Sequence, residues 1–551
     1  AATPASSPST TITVDRDFDN RSGLPISDEV GYDRSDDGLS KRGHFSNRRW
    51  SSLLVTRREV DFSLDSRIEM RYNTARRLVE EGPWEIDHSG PGGTAASYQA
   101  ALGGGVITQS ISINEQGMIN GRSLAVDGIV LASLDLETNG AGRVSSRSIS
   151  VGGMSLVDER YIHDQHGFLA SVTDAAGMEL AANTFDIDGN RTQLITGNVA
   201  ETTSFDVDGY ITQHDGNPVS IDANGMVSSL HDWSLDHAST GELLIADDGA
   251  VTVHYGYDEL GRRVARQTGT DVTIFLYGDV YQNDRVTDVI ASDGTLTQYL
   301  YDEAGHVYAM RRAGIWYGVL SDVVGTPIVI VDETGNIVKY RIFDMWGRLM
   351  LDSNPGFQME LGFAGGIHDP DTDLVRFGRR DYDPVTGRWL SPDPLHLPGG
   401  SINLYRYASN DPVTFRDPGG NTSIGYATPL MPGAVGILEF TTTDTGYSAC
   451  FSLGGGVDMG PFGDLYGEHK DAGESQQASG SFGPFDIDVP LKNPSQCEVG
   501  FPFDDLDPAD VDDLWDFLSD LYKGGKNSLV KTAKGGSATI TQRWCSGAYA
   551  W

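Results

Sequence analysis

Residues 363–420 read FAGGIHDPDTDLVRFGRRDYDPVTGRWLSPDPLHLPGGSINLYRYASNDPVTFRDPGG. Asp-Pro steps recur at Asp369, Asp383, Asp393, Asp411 and Asp417, with Gly, Asn and aromatic residues between them. Proline fixes one backbone torsion and glycine supplies positive φ, so this stretch predicts short strands joined by tight turns and no helix.

Upstream, from Ser51 to Val331, the chain breaks into short segments of alternating character, such as Val106-Ile107-Thr108-Gln109-Ser110-Ile111-Ser112-Ile113. Every second residue can face a core, which predicts strands. Between the strands an Asp-x-x-Gly turn recurs, starting at Asp164, Asp174, Asp186, Asp206, Asp222, Asp258, Asp302, Asp332 and Asp344. An aromatic residue precedes several of them, as Phe185-Asp186, Phe205-Asp206, Tyr257-Asp258, Tyr301-Asp302 and Phe343-Asp344. The aspartate caps the turn, the glycine takes the left-handed position, and the aromatic ring packs inward on the neighbouring strand. One hairpin alone buries one face, so stacked copies must share a continuous core in a long antiparallel sheet.

The flanks differ. Residues 1–50 are rich in Ser, Thr, Asp and Arg and read as an extended arm that packs on something else. Beyond Gly420 the composition turns Gly-rich, as in Phe451-Ser452-Leu453-Gly454-Gly455-Gly456-Val457, which predicts strands and loops of a separate module. Residues 507–522 are its one predicted helix. Asp507 caps it, Pro508 suits its first turn, and Val511, Leu514, Trp515, Leu518, Leu521 and Tyr522 form its apolar face.

The chain has 551 residues, with 40 Lys and Arg against 78 Asp and Glu and a net charge of −38. That balance repels phosphate backbones and excludes nucleic acid as a partner of the body. No apolar run approaches the roughly 20 residues that span a bilayer, so no membrane span is expected. The opening residues, AATPASSPSTT, lack the basic and apolar regions of a signal peptide and read as a mature end left after cleavage or as a linker. Cys450, Cys497 and Cys545 allow one disulfide and one thiol, and their spacing fits no zinc pattern.

The closing stretch resembles the core segment of the Rhs/YD-repeat family, which includes polymorphic toxins, the C components of insecticidal Tc toxins and the teneurins. The resemblance rests on Arg379-Arg380-Asp381-Tyr382-Asp383-Pro384, Thr386-Gly387-Arg388-Trp389-Leu390-Ser391-Pro392-Asp393-Pro394, Asn403-Leu404-Tyr405-Arg406-Tyr407, Asn410-Asp411-Pro412-Val413 and Asp417-Pro418-Gly419-Gly420. It implies an all-β fold in which YD-repeat hairpins coil into a shell or barrel around a hollow interior. On this reading residues 51–362 form the β-body, 363–420 close it, and 421–551 are a variable, mostly β C-terminal module containing the helix. A body of this length leaves a short barrel, a partial shell and one unit of an assembly open.

The resemblance also implies an aspartyl-type self-cleaving site built from two Asp-Pro-x-Gly turns, with the scissile bond following Asn421. Two carboxylates brought together can share one proton, one acting as base toward water and the other as acid toward the peptide carbonyl. Asp393 and Asp417 are the candidates, and Arg388, just before the first turn, is the candidate orienting residue. The second turn matches the family pattern as Asp417-Pro418-Gly419-Gly420. The first has His396 where the family has Gly, and Asn421 stands where cleaving members carry Leu.

Other chemistry is thinner. Asp186 with Asp188 and Asp206 with Asp208 carry calcium-like spacing without a distal bidentate Glu, so they read as turn caps. His163 and His166 read as residues of an exposed loop. The C-terminal module holds one histidine, His469, and one arginine, Arg543, so its own residues do not support a toxin activity. No cofactor and no metal are implied.

Two functions fit. One is a secreted or cell-surface carrier whose shell holds, presents or processes its own C-terminal module. The other is an extracellular structural or adhesive subunit that assembles with copies of itself or a cell-surface partner, without catalysis.

Overall fold

A computed structural model of the chain describes residues 66–394 and 403–420, apart from 75–76, 115–116, 280–281 and 283. Within 10–60 and 427–544 it describes strands and, of their side chains, only those of Val30, Lys41, Arg58 and Val60. Nineteen strands between Thr10 and Pro218 form one antiparallel sheet, each paired with the next along the chain. Fourteen more between Ser220 and Asp352 continue the meander as a second sheet. The all-β expectation holds.

The turns explain the regularity. At Asp258, carboxylate Oδ1 accepts the amides of Leu260 and Arg262, both at 3.0 Å, and the Gly261 amide donates to the Asp258 carbonyl at 3.0 Å. Gly261 sits at φ +75°, a conformation only glycine adopts without strain. The bond from the amide four residues on and the glycine bond to the aspartate carbonyl recur at Asp186, Asp206, Asp302 and Asp344. At each of these five the strand register shifts at the preceding aromatic, as at Gly256/Tyr257 and Leu300/Tyr301. Such a bulge re-aims a side chain. Tyr257 and Tyr301 thereby send their hydroxyls to the carbonyls of Leu243 and Val286, at 2.6 and 2.5 Å.

Successive turns of an antiparallel meander alternate between two rims. The five turns with a leading aromatic all fall on one rim. Asp174 to Gly177 and Asp332 to Gly335, which no aromatic precedes, fall on the other.

The two sheets meet face to face. A side chain placed at Gly318 would come within 2.7 Å of Ile107 Cγ2 and 2.9 Å of Leu124 Cδ1. Around this contact, Leu124, Leu134 and Val144 of the first sheet pack with Leu300, Tyr308 and Leu320 of the second. Apolar side chains fill the space between the two sheets at this level.

Residues 1–50, expected as an extended arm, hold three strands, Thr10–Phe18, Pro25–Arg34 and Ser40–Arg49, that begin the first sheet. They pack on the body itself. Lys41 Nζ donates to the Val272 and Ala291 carbonyls, and Val30 joins Val272, Phe275 and Val289 in one cluster. One polar residue of that stretch, Lys41, is thus a donor to carbonyls of the second sheet region.

Residues Ala427–Trp551 form a second compact unit, in which nine antiparallel strands make a single sheet. The helix expected over 507–522 lies outside the described residues, as do His396, Asn421, His469 and the side chains of Arg543 and the three cysteines.

Gly318→Val should lower the urea midpoint of unfolding, at a cost of about 1–3 kcal/mol, because a branched side chain there overpacks two layers of backbone and apolar side chains. Val207→Ala, at a turn position 99 % exposed, should change stability by no more than about 0.5 kcal/mol in the same titration.

Candidate site in the closing segment

Residues 363–420 carry four short antiparallel strands, Ile367–His368, Val375–Phe377, Arg380–Asp383 and Arg388–Trp389. Along Arg380–Asp383 side chains alternate, so Arg380 and Tyr382 share one face and Asp381 and Asp383 the other. The first face is aromatic. Tyr382 lies 4.3 Å from Tyr407 between ring centroids, Trp389 packs edge-on against both, and Phe363 and Phe377 complete the cluster. The second face is ionic. Asp381 pairs with Arg263 and Arg376 at 2.7 and 2.6 Å, and Asp383 with His231 at 3.1 Å.

The segment binds the body through the rim of aromatic-led turns. Asn410 Nδ2 donates to the Gly189 carbonyl at 2.8 Å, Arg388 Nη2 to Gly209 at 3.2 Å, Tyr405 Oη to Gly225 at 2.6 Å and Arg376 Nη2 to Gly261 at 2.8 Å. Arg416 reaches the carbonyls of Ala304 and Val324 at 2.5 and 3.1 Å. Each acceptor on the first four turns is the glycine that closes an Asp-x-x-Gly turn.

Asp393 and Asp417 come together at a third residue. Arg380 Nη2 lies 3.0 Å from Asp393 Oδ2 and 3.2 Å from Asp417 Oδ2, and all three residues are buried. The same guanidinium donates through Nε to the Gly420 carbonyl and through Nη1 to the Leu404 carbonyl at 3.2 Å. Its plane stacks over Trp389 at 4.1 Å. Burial lowers the pKa of Arg380, and the charges of Asp417 and Asp393 oppose that shift.

Backbone contacts fix the second turn. The Gly420 amide donates to the Asp417 carbonyl at 3.3 Å, and the Arg379 amide to the Gly419 carbonyl at 3.1 Å. A Cβ on Gly378 would lie 2.3 Å from the Gly419 oxygen, so glycine is required there for the strand and the turn to touch. The first turn is held where the Asp393 amide donates to Leu404 at 3.0 Å.

Arg388, expected beside the two aspartates, is elsewhere. Its guanidinium bonds Asn190 and Gly209 and stacks on Phe205 at 4.6 Å, and burial lowers its pKa to about 10. Proximity in sequence to Asp393 misled here, because Arg388 and Asp393 are separated by a strand end and a turn. The residue that joins the carboxylates, Arg380, was within the quoted motif, and strand alternation places it on the face with Tyr382.

The other candidates resolve differently. Asp186 and Asp206 spend their carboxylates on turn amides, and Asp186 also accepts from Asn190 Nδ2 at 2.9 Å. His166 sits in an exposed turn, as expected. His163 does not: it ends a strand with its side chain turned inward, 3.2 Å from Asp411 Oδ2.

Removing Arg380 would leave two buried carboxylates without their cation. Arg380→Ala should therefore cost roughly 3–5 kcal/mol in denaturant unfolding. Arg380→Lys should fall close to it, since one ammonium cannot serve four acceptors set for a planar fork.

The family model for the teneurin YD-shell matches residues 98–413. Human Teneurin-4 is 31% identical over 295 residues, which cover 51% of this chain and 11% of that protein. Chicken Teneurin-1 is 31% identical over 313 residues, covering 53% of this chain and 12% of its own length. Drosophila melanogaster Teneurin-m is 26% identical over 319 residues, covering 56% and 12%. The chain thus spans about 11–12% of the length of these curated relatives. Among solved structures, the Photorhabdus luminescens Tc holotoxin pore aligns with a TM-score of 0.58 at 16% identity, over 72% of this chain and 23% of that one. TcdB2-TccC3 without its hypervariable C-terminal region aligns with a TM-score of 0.59 at 16% identity, over 73% and 23%. At that identity the likeness is one of fold. Because residues 98–413 are more than half of the chain, and carry both the repeated turns and most of the closing segment, the chain belongs to the teneurin YD-shell family.

Proposed function

We propose that the chain is the closing part of an Rhs-type shell, secreted or at a cell surface, that carries the module of residues 421–551 and frees it by cleaving its own backbone. The carrying observation is the convergence of Asp393, Asp417 and the Gly420 carbonyl on the one guanidinium of Arg380. Two carboxylates and a positioning cation stand where the shell chain runs out toward the module. Support from a relative is that TcdB2-TccC3 is described with a hypervariable C-terminal region.

In this reading one carboxylate takes a proton from a water molecule as the water oxygen adds to the Asn421 carbonyl carbon and returns that proton to the Thr422 nitrogen as the amide bond breaks, while the other, paired with the same guanidinium, holds it in place. The products are a carboxylic acid at Asn421 and an amine at Thr422. Arg380 orients both carboxylates and anchors the substrate strand one peptide upstream of the bond. In place of a proton shared directly between the aspartates, the resting geometry sets a guanidinium between them.

Intact mass under denaturing conditions tests this. The purified chain should give two fragments that meet after Asn421, and Asp393→Asn and Asp417→Asn should each give the uncut 59.5 kDa chain. An uncut chain in every sample would overturn self-cleavage, and Arg380 would then be a clamp in a structural subunit that assembles with copies of itself or another surface partner.

A further inference from the structure

Away from the aspartate pair, a second titratable cluster joins the body to the closing segment. His231 occupies a two-residue turn with Asp232, both in the left-handed region at φ 50° and 68°, between Val227–Leu230 and Trp233–His237. Its Nε2 lies 3.1 Å from Asp383 Oδ2, at the end of the Arg380–Asp383 strand. The Asp383 carboxylate also accepts from the amide and hydroxyl of Thr386 at 3.0 and 2.6 Å. His214, ending Ile211–His214, packs edge-on against His231 with ring centroids 5.3 Å apart, and its Nδ1 is 3.1 Å from Thr203 Oγ1.

We propose that seating of the closing segment is tuned by pH through a single proton held by the paired imidazoles of His214 and His231 against Asp383. The geometry admits one charge and penalises two. A proton on His231 faces a buried carboxylate, whereas a second proton on His214 would face His231 at van der Waals range. The remaining charged groups are accounted for: Glu201 is bound to Arg348 at 2.7 Å, Arg191 stacks over Trp346 at 4.3 Å, and Asp215 and Asp232 are exposed on the turns themselves. His231 keeps 32% of its side chain in solvent, so protons can reach it.

The two histidines shift in opposite directions. Burial works against a charge on His231, but the charge and hydrogen bond of Asp383 outweigh it and raise its pKa. Burial is the largest cause at His214 and lowers its pKa, with Asp383 offsetting only part. A raised value gives stability that is complete below the unfolded-state value and is lost as pH rises through the folded one. A lowered histidine value gives stability that is lost as pH falls below the unfolded-state value, near about 6.5. The alkaline limb acts at the His231–Asp383 contact and the acid limb at His214, which packs on His231, so seating is tightest near neutrality and loosens on either side.

Hydrogen exchange of the full chain, read by mass spectrometry on peptides covering residues 380–390 and corrected for intrinsic exchange, tests this between about pH 5 and about pH 9. Protection should peak near neutrality and fall several-fold, up to about tenfold, toward each end, since one pH unit of differential proton affinity is a factor of ten. His231→Gln should abolish the alkaline fall and His214→Gln the acid fall. Flat protection in the unaltered chain would overturn the proposal. So would variants that keep both limbs, or equal changes in peptides from residues 98–125, which report the body alone. If either variant fails to fold, imidazole proton resonances of the unaltered chain decide: the two rings must titrate on opposite sides of the ordinary histidine value, and coincident titration rejects the shared proton.

Discussion

The fold depends on backbone carbonyls at the turn glycines of one rim. A hairpin turn ends the ladder, and the closing glycine, held at positive φ, aims its carbonyl away from the sheet with no strand to receive it. Left buried without a donor, each such group costs about 1–3 kcal/mol. In this chain Asn410, Arg388, Tyr405 and Arg376 supply the donors at Gly189, Gly209, Gly225 and Gly261. The closing segment is therefore specified by the turns it contacts, and it covers the glycine that closes each of them. Repeat and closing segment form one unit.

That dependence explains why so many arginines are buried in a chain with a strongly acidic balance. A guanidinium reaches across a turn, presents several donors in a plane and lies flat on an aromatic ring. Arg376 does all of this, bonding Asp381 at 2.6 Å and the Gly261 carbonyl at 2.8 Å while stacking over Tyr257 at 4.7 Å. Tyr257, like Phe205 beneath Arg388, thus meets a cation of the closing segment. Ion pairs at this depth recover little net energy after desolvation. What they contribute is register, because Arg263 meets Asp381 Oδ1 and Arg376 meets Asp381 Oδ2 in a single arrangement.

Local rules were legible in the sequence, and long-range ones were not. The aspartate caps, the glycine positions and the strand alternation each follow from a few adjacent residues, and all appear where the pattern placed them. Arg380 and Arg388 could not be told apart in this way. Both flank Asp-Pro steps, and only the pairing of Val375–Phe377 with Arg380–Asp383 brings the first of them under Trp389 and beside Asp417. The same limit applies to residues 1–50. Lys41 bonds carbonyls 231 and 250 residues away, and its strand reads as a solvated arm, since polarity alone does not say whether water or a distant backbone is the partner. His163 has the same history, with its carboxylate, Asp411, in the closing segment.

The position of the anchor relative to the proposed cut decides what remains closed afterwards. Arg380 holds the Gly420 carbonyl, the Arg379 amide holds that of Gly419, and Gly378 leaves no room between strand and turn. All three contacts lie upstream of Asn421. Breaking the chain beyond that residue removes none of them, and none of the donors to the rim glycines. Cleavage at this place separates the module covalently while the closing segment stays bound by the interactions that seated it during folding. The shell end is thus held by buried hydrogen bonds to the rim that do not depend on the peptide bond proposed for cleavage.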